Sequence, residues 1–361
     1  MLESQVATPS SIPLPYDIAP LDSHPDRLPL VIHSRGDRQP ETLAAWLRSH
    51  GDWVTEQLHT WGALLFRGFD VADAATFETI ARAIDDDLKN EYLGTSPRNA
   101  LTPHVFSASE LPPYYPIPQH CEMTFIAQPP RRLFFCCLVE PAAGGGETPL
   151  ADFRQVLRAL NPAVVARFEA RGLRIVRNYS GPEGGGRFDL WQLKRWDEMF
   201  LTTDRSVVEA KCRAEGFDPI WTDGGGLRLI STQPITRTHP RTGEAVWHNH
   251  VTTFHLSQAA GEYARIYALR PTWTHWGLLQ LARVLETVQR WKPTDELALH
   301  CTYANGDEIP AADMEHVRAV VWKHLVVFPW RQGDVVAIDN YAVSHGRLPY
   351  SGPRNIAVAW A

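Results

Sequence analysis

The closing stretch, Trp330 to Ala361, constrains the fold most. It holds three apolar runs, Val335 to Ile338, Ala342 to Ser344 leading to His345-Gly-Arg347, and Ile356 to Trp360. They are separated only by Asp339-Asn340-Tyr341 and by the turn Pro349 to Pro353. Connections this short hold no helix, so successive strands reverse direction. Upstream, short strand signals are interspersed with helical stripes without a regular βα repeat. An antiparallel β core is therefore favoured over a doubly wound parallel sheet.

Read in order, residues 1–28 are rich in Pro and Ser and form a loosely ordered lead-in, and residues 29–361 form one domain. Leu28 to Ile32 and Gly62 to Phe69 are strands, and Glu41 to Leu58 is a helix broken at Gly51. Asp73 caps a helix running to Leu88 with Phe77, Ile80, Ala81 and Ile84 on one stripe. Arg132 to Val139 is a strand in which Cys136 and Cys137 fill core. Phe153 to Leu160, Pro162 to Arg171, Asp204 to Glu215, Trp273 to Trp291 and Pro310 to Trp322 are helical. Leu227 to Thr232, Ala245 to His255 and Leu325 to Phe328 are strands. Gly144-Gly-Gly146 lacks the Lys-Ser/Thr of a phosphate loop and is a turn. Asp334 and Asp339 shape turns.

Composition excludes several functions. A net charge of −6 and a pI near 6.2 give no basic face for nucleic acid. No apolar run has the length of a membrane span, and Met1 to Asp17 does not read as a secretory signal. Five cysteines without a CxxC pair suit a reducing compartment, so a cytoplasmic location is expected, without a disulfide framework or structural zinc.

The chemistry-bearing signal is His120-Cys-Glu122. If Ile117 to Phe125 is extended, His120 and Glu122 leave the same face and Cys121 the other. An imidazole and a carboxylate are two-thirds of a facial triad for a redox metal. The third ligand must come from far away in sequence, and His-x-Glu alone is a weak signal. Tyr92, Arg98, His104, Phe106 and Ser109 line a pocket or belong to a packed surface loop. The three histidines between Thr238 and His250 do not share one face with a carboxylate, which leaves a zinc site there a minor reading.

His120-x-Glu122, Gly145-Gly-Glu-Thr148-Pro-x-x-Asp152, Trp330-x-x-Gly-Asp334, Asp339-Asn340, His345-Gly-Arg347 and Arg354 occur in this order. Together they resemble the taurine dioxygenase/clavaminate synthase superfamily of Fe(II)- and 2-oxoglutarate-dependent oxygenases, and most of all its SyrP-like hydroxylases. The resemblance runs from about Asn90 to the end. It implies a double-stranded β-helix (jelly roll, cupin-like), mainly β with flanking helices, and a long helical insert over about 153–324 covering the active-site mouth. It implies His120, Glu122 and His345 as iron ligands, Arg354 and Thr148 as holders of the distal 2-oxoglutarate carboxylate, and Arg347 as second candidate for that carboxylate. Arg354 is expected on the strand antiparallel to the one bearing His345. Trp247-His248-Asn249 resembles a family Trp-Phe-Asn near the substrate, with His for Phe; Arg98, His104 and Asn249 are candidate substrate contacts.

Fe(II), 2-oxoglutarate and O2 are thereby implied, with succinate and CO2 released. Family halogenases have a small residue at the carboxylate position, so Glu122 favours hydroxylation, desaturation or ring closure of a C–H-bearing substrate. That substrate is expected to be an amino acid or amino-acid-derived unit, free or tethered to a carrier protein. Two other classes share part of the pattern: a non-oxidative metal-dependent jelly-roll isomerase and a metal-free ligand-binding barrel.

Overall fold

The computed structural model describes residues 15–21, 28–96, 98–141, 144–182 and 195–361. Its larger sheet contains β1 (Tyr16–Pro20), β2 (Leu30–Ser34), β3 (Ala63–Arg67), β4 (Phe106–Ser107), β6 (Arg132–Val139), β14 (Val335–Asp339) and β16 (Asn355–Trp360). The order is β1-β2-β3-β14-β6-β16-β4, antiparallel except where β2 lies beside β3. A second sheet holds β5 (Ile117–His120), β7 (Leu150–Asp152) and β15 (Val343–Arg347), in the order β5-β15-β7. One apolar cluster joins Leu133, Phe135 and Cys137 of β6 to Leu150 and Ala151 of β7 and Val343 of β15, so the two sheets enclose a common core. This is a jelly roll, as expected.

The unbroken apolar run of β6 follows from burial on both faces. Leu133, Phe135 and Cys137 point into the core between the sheets. Phe134, Cys136 and Leu138 alternate to the other side, against α1 (Pro40–Ser49), α2 (Gly51–Trp61) and α3 (Ala74–Ile84). The cysteines are packing groups, and burial pushes the Cys137 thiol up to about 12. Asp73 caps α3 by accepting from the Thr76 amide. Gly62 ends α2 at φ +77°, where a Cβ would come within 2.4 Å of Val343 Cγ2. Only glycine lets α2 turn that close to β15.

Between β7 and β14 lies the long excursion. It carries α4 (Phe153–Ala159), α5 (Pro162–Arg171), α6 (Trp196–Phe200), α7 (Arg205–Ala214), α8 (Val251–Phe254), α9 (Gln258–Leu269), α10 (Trp273–Gln289) and α11 (Ala311–Lys323). It is not purely helical. β8 (Leu173–Tyr179), β9 (Asp218–Trp221), β10 (Leu227–Gln233) and β13 (Leu299–Tyr303) form a sheet in the order β13-β8-β10-β9, and β11 (Arg237–Thr238) pairs with β12 (Ala245–Val246).

Several expectations are corrected. Residues 1–14 and 22–27 of the lead-in lie outside the described residues, but Tyr16–Pro20 is an edge strand paired with β2. The expected strand Ala245 to His255 breaks after Val246 into α8, because Asn249 accepts from the Val251 amide and starts a helical turn. Leu325 to Phe328 contributes only the single bridge Val326–Leu150. Asp334 is more than a turn former: it makes a buried two-pronged ion pair with Arg67, at 2.9 and 2.6 Å. β16 pairs with β6 and β4, not with β15. Successive jelly-roll strands alternate between sheets, so Arg354 reaches the His345 region across the core.

Candidate metal centre and cosubstrate pocket

β15 lies antiparallel to β5 with His345 directly opposite His120. That register puts both side chains on one face of the sheet, with ring centroids 4.4 Å apart. Glu122 arrives differently from the expectation. β5 ends at His120, and Glu122 lies in the turn that follows, where Met123 has φ +51°. A buried non-glycine residue in that region is strained, and the surroundings hold it there. Asn340 does much of the holding. Its side chain accepts from the Glu122 amide at 2.7 Å and donates to the Glu122 and Pro130 carbonyls at 3.0 and 2.8 Å.

The donor atoms of His120, Glu122 and His345 all lie within 4.8 Å of one another, and all three residues are buried. Glu122 Oε2 and His345 Nε2 are 3.6 Å apart. His120 donates Nδ1–H to the Pro118 carbonyl, which leaves its Nε2 lone pair available. Burial pulls the pKa of His120 below its ordinary value. Burial, with the neighbouring His120, pulls that of His345 well below. Neutral imidazoles are the ligating form. Two imidazoles and a carboxylate in such a cluster fit Fe(II).

A cavity of about 30 Å³ beside this cluster is lined by Arg98, Phe135, Thr148, His345, Arg347 and Arg354 among others. Arg354 donates Nε–H to the Gly146 carbonyl at 2.7 Å, and its Nη2 is 3.5 Å from Thr148 Oγ1. Among the described residues no carboxylate lies within ion-pair distance of Arg354. Burial, then the adjacent Arg347, pulls its guanidinium down to about 10, so an entering anion would be strongly favoured there. Arg347 is committed elsewhere. Its guanidinium donates to the carbonyls of Leu111, Pro112 and Tyr115 at 3.0, 2.7 and 2.7 Å, pinning that loop.

A second cavity, of about 40 Å³, also has His120 in its wall, together with Glu122. Tyr92, Tyr115 and Phe125 line it, together with His250, Phe254, Gln258 and Leu299 from the long excursion. Arg98 is present at the centre, but facing Glu122. It donates to Glu122 Oε2 at 2.9 Å, to Tyr92 Oη at 3.2 Å and to the Ala108 carbonyl.

Two candidate contacts are not brought to the site. His104 lies against Arg82 and Glu78, at 2.9 and 3.3 Å. Asn249 is consumed by backbone, donating to the Ile235 carbonyl at 2.9 Å and accepting from the Val251 amide at 3.0 Å. Its neighbour His250 is the residue in place, 4.8 Å from His120 between ring centroids, with Nδ1 2.8 Å from Thr124 Oγ1. The histidine-rich segment 238–250 was the only trace of it in the sequence, and Asn340 left only its place in the closing motif.

Among the described residues two more clusters bring metal-ligating groups together, His59-His239-Asp339 and His255-His300-Glu308. The first borders two grooves of about 580 Å³ each. Protonation disqualifies both. His239 Nδ1 accepts from the Arg241 and Thr242 amides, so Nε2 carries the proton it gives Asp339. His300 Nδ1 accepts from the Leu256 amide, which likewise turns Nε2–H toward Glu308.

A jelly roll whose paired strands and following turn bring together two imidazoles and one carboxylate, beside a pocket with a buried arginine, defines the non-haem iron oxygenase class. Residues 26–360 match the taurine catabolism dioxygenase TauD, TfdA family, and the chain belongs to that family. It is a non-haem Fe(II)- and 2-oxoglutarate-dependent dioxygenase, using Fe(II), 2-oxoglutarate and O2. The chain is 31% identical to the dapdiamide synthesis protein DdaC of Enterobacter agglomerans, over 95% of this chain and 94% of that protein. It is 29% identical to a clavaminate synthase-like protein of Arabidopsis thaliana, over 86% and 84%. PvcB of Pseudomonas aeruginosa shares the fold, with a TM-score of 0.52, 16% identity and coverage of 98% and 93%. A further PvcB structure, described as an Fe, alpha-ketoglutarate dependent oxygenase from an isonitrile synthetic pathway, gives a TM-score of 0.50 at 16% identity, covering 97% and 92%. Among the described residues no helix is long and apolar enough to cross a membrane.

Proposed function

We propose that this protein hydroxylates an unactivated C–H bond of an amino acid or amino-acid-derived natural-product intermediate, free or carrier-tethered, with release of succinate and CO2. The observation carrying the reading is the convergence of His120, Glu122 and His345 in the walls of two cavities, one lined by Arg354 and Thr148, the other partly by the long excursion. Support for the substrate class comes from relatives whose names place them in dapdiamide synthesis and in an isonitrile synthetic pathway.

In this reading His120 Nε2, His345 Nε2 and Glu122 hold the iron. When bound, Fe(II) with 2-oxoglutarate and O2 supplies the oxidising power for C–H attack. Arg354 anchors the distal cosubstrate carboxylate through the guanidinium edge that Gly146 leaves free, beside the Thr148 hydroxyl. Arg98 donates to Glu122 Oε2, the oxygen that also faces His345 Nε2, and so fixes where that carboxylate stands. Arg347 serves as a strut for the loop 111–115 rather than as the anchor. Small cavities lined by Phe125, Phe135 and Phe254 keep bulk water from the reacting centre.

The test is anaerobic titration of the protein with Fe(II) and 2-oxoglutarate. A weak visible metal-to-ligand charge-transfer band, lost in His345→Ala, supports the reading. A protein that binds zinc or manganese but gives no such band and forms no succinate would overturn it.

A further inference from the structure

α10 carries an apolar stripe that no described residue covers. At about 100° per residue, Trp273, Gly277, Leu281, Val284, Val288 and, continuing the helix, Trp291 fall within an arc of roughly 80°. The opposite face is satisfied: Leu279 and Ala282 are buried against Ala260, Tyr263 and Ile266 of α9. The stripe is open, with Trp273 86%, Leu281 53%, Val284 60%, Val288 49% and Trp291 84% exposed. Trp276, 45% exposed, packs its ring edge-on to Trp273 at 6.1 Å. From Gly277 to Trp291 the spacing alternates four and three residues, the rhythm of a helix seam that packs on another helix.

We propose that this stripe is the interface with a second copy of the same chain, α10 packing antiparallel on α10 across a two-fold axis. Area is the first reason. With Leu269 at the end of α9, 59% exposed, these side chains present on the order of 900 Å² of apolar surface, beyond the patch usual on a monomer. A stable dimer takes roughly 800 Å² from each partner. Symmetry is the second reason. A two-fold interface must be self-complementary. With the axis near Ala282, Trp273 meets the partner's Trp291, Trp276 meets the partner's Val288, and Leu281 meets the partner's Val284 at the centre. Charge is the third. No stripe residue is charged, and Arg290, about 100° of helix rotation outside the stripe, is already paired with Glu286 at 2.6 Å. The pairing also backs α9, whose first residue, Gln258, is part of the cavity wall.

The test is the mass in solution of the full chain at tens of micromolar, by light scattering after size exclusion. The expected value is twice the 40.7 kDa of one chain, falling to one chain in Val284→Glu and in Leu281→Glu. Both residues are solvent-facing in the single chain, so circular dichroism of either variant should match wild type. As a second readout, all five native cysteines are buried, so Leu281→Cys/Val284→Cys adds the exposed thiols and sets each opposite the other's counterpart in the second copy; mild oxidation should link two copies through them, whereas Glu41→Cys, on α1, should not. A folded wild-type monomer overturns the proposal and leaves the stripe to a partner of another kind. A dimer that survives Val284→Glu, or no cross-link in the Leu281→Cys/Val284→Cys variant, overturns it as well.

Discussion

Removal of Arg354 gives the sharpest test of the cosubstrate pocket. Its Nε–H is spent on the Gly146 carbonyl at 2.7 Å, and Nη2 stands 3.5 Å from the Thr148 hydroxyl. The remaining Nη hydrogens can donate a two-pronged pair to a carboxylate. Hydrogen bonds to a charged group contribute about 1.5–3 kcal/mol each, and deleting one partner of a buried pair costs about 2–5 kcal/mol. Taking about 3–5 kcal/mol, Arg354→Ala should weaken 2-oxoglutarate binding by roughly 100- to 5,000-fold. The assay is the charge-transfer band titrated anaerobically with 2-oxoglutarate at saturating Fe(II). Fe(II) binding itself should persist, since His120, Glu122 and His345 are intact. Arg347→Ala should cost far less in cosubstrate affinity, because both its Nη groups are bound to the carbonyls of Leu111, Pro112 and Tyr115 and only Nε–H is left without a partner. A change under threefold in Arg354→Ala, or the large loss appearing in Arg347→Ala, would refute the assignment.

His120→Ala, Glu122→Ala and His345→Ala should each abolish succinate formation with nearly unchanged far-UV circular dichroism, and normal turnover in any one would remove that residue from the ligand set. Asp334→Ala strands Arg67 in the core and should lower unfolding free energy by about 3–5 kcal/mol in urea titration; a loss under about 1 kcal/mol would show the pair is not desolvated. The pKa of His248 is held down to about 3 by burial first, so the unfolded chain binds its proton while the folded chain does not. Its contribution is present above the ordinary pKa of 6.5 and is lost as pH falls toward 3, reaching about 2 kcal/mol at pH 5. His248→Phe should remove that share of the acid sensitivity between pH 7.5 and 5, and parallel stability–pH curves for the two proteins would contradict it.

Much of the fold and the candidate centre was legible in the sequence because the signals were local. Three apolar runs with turns too short for a helix forced antiparallel strands, and the doubly apolar β6 announced burial on two faces. His120-x-Glu122 with a distant His345 matched a donor set dictated by iron's ligand preferences rather than by the surrounding chain. Tertiary structure decided the rest, because those contacts join residues that local pattern cannot relate. Glu122 reaches the centre through a turn pinned by Asn340, 218 residues away. Arg354 was the first candidate and Arg347 the second, and packing set them apart: three loop carbonyls hold the Nη groups of Arg347, while Arg354 faces Thr148. His104 and Asn249 carried the right chemistry, but one found Glu78 and the other found backbone. A polar side chain's role is set by whichever partner desolvation brings within hydrogen-bond reach, and that partner is chosen by how the sheets and the excursion pack, not by residues nearby in sequence.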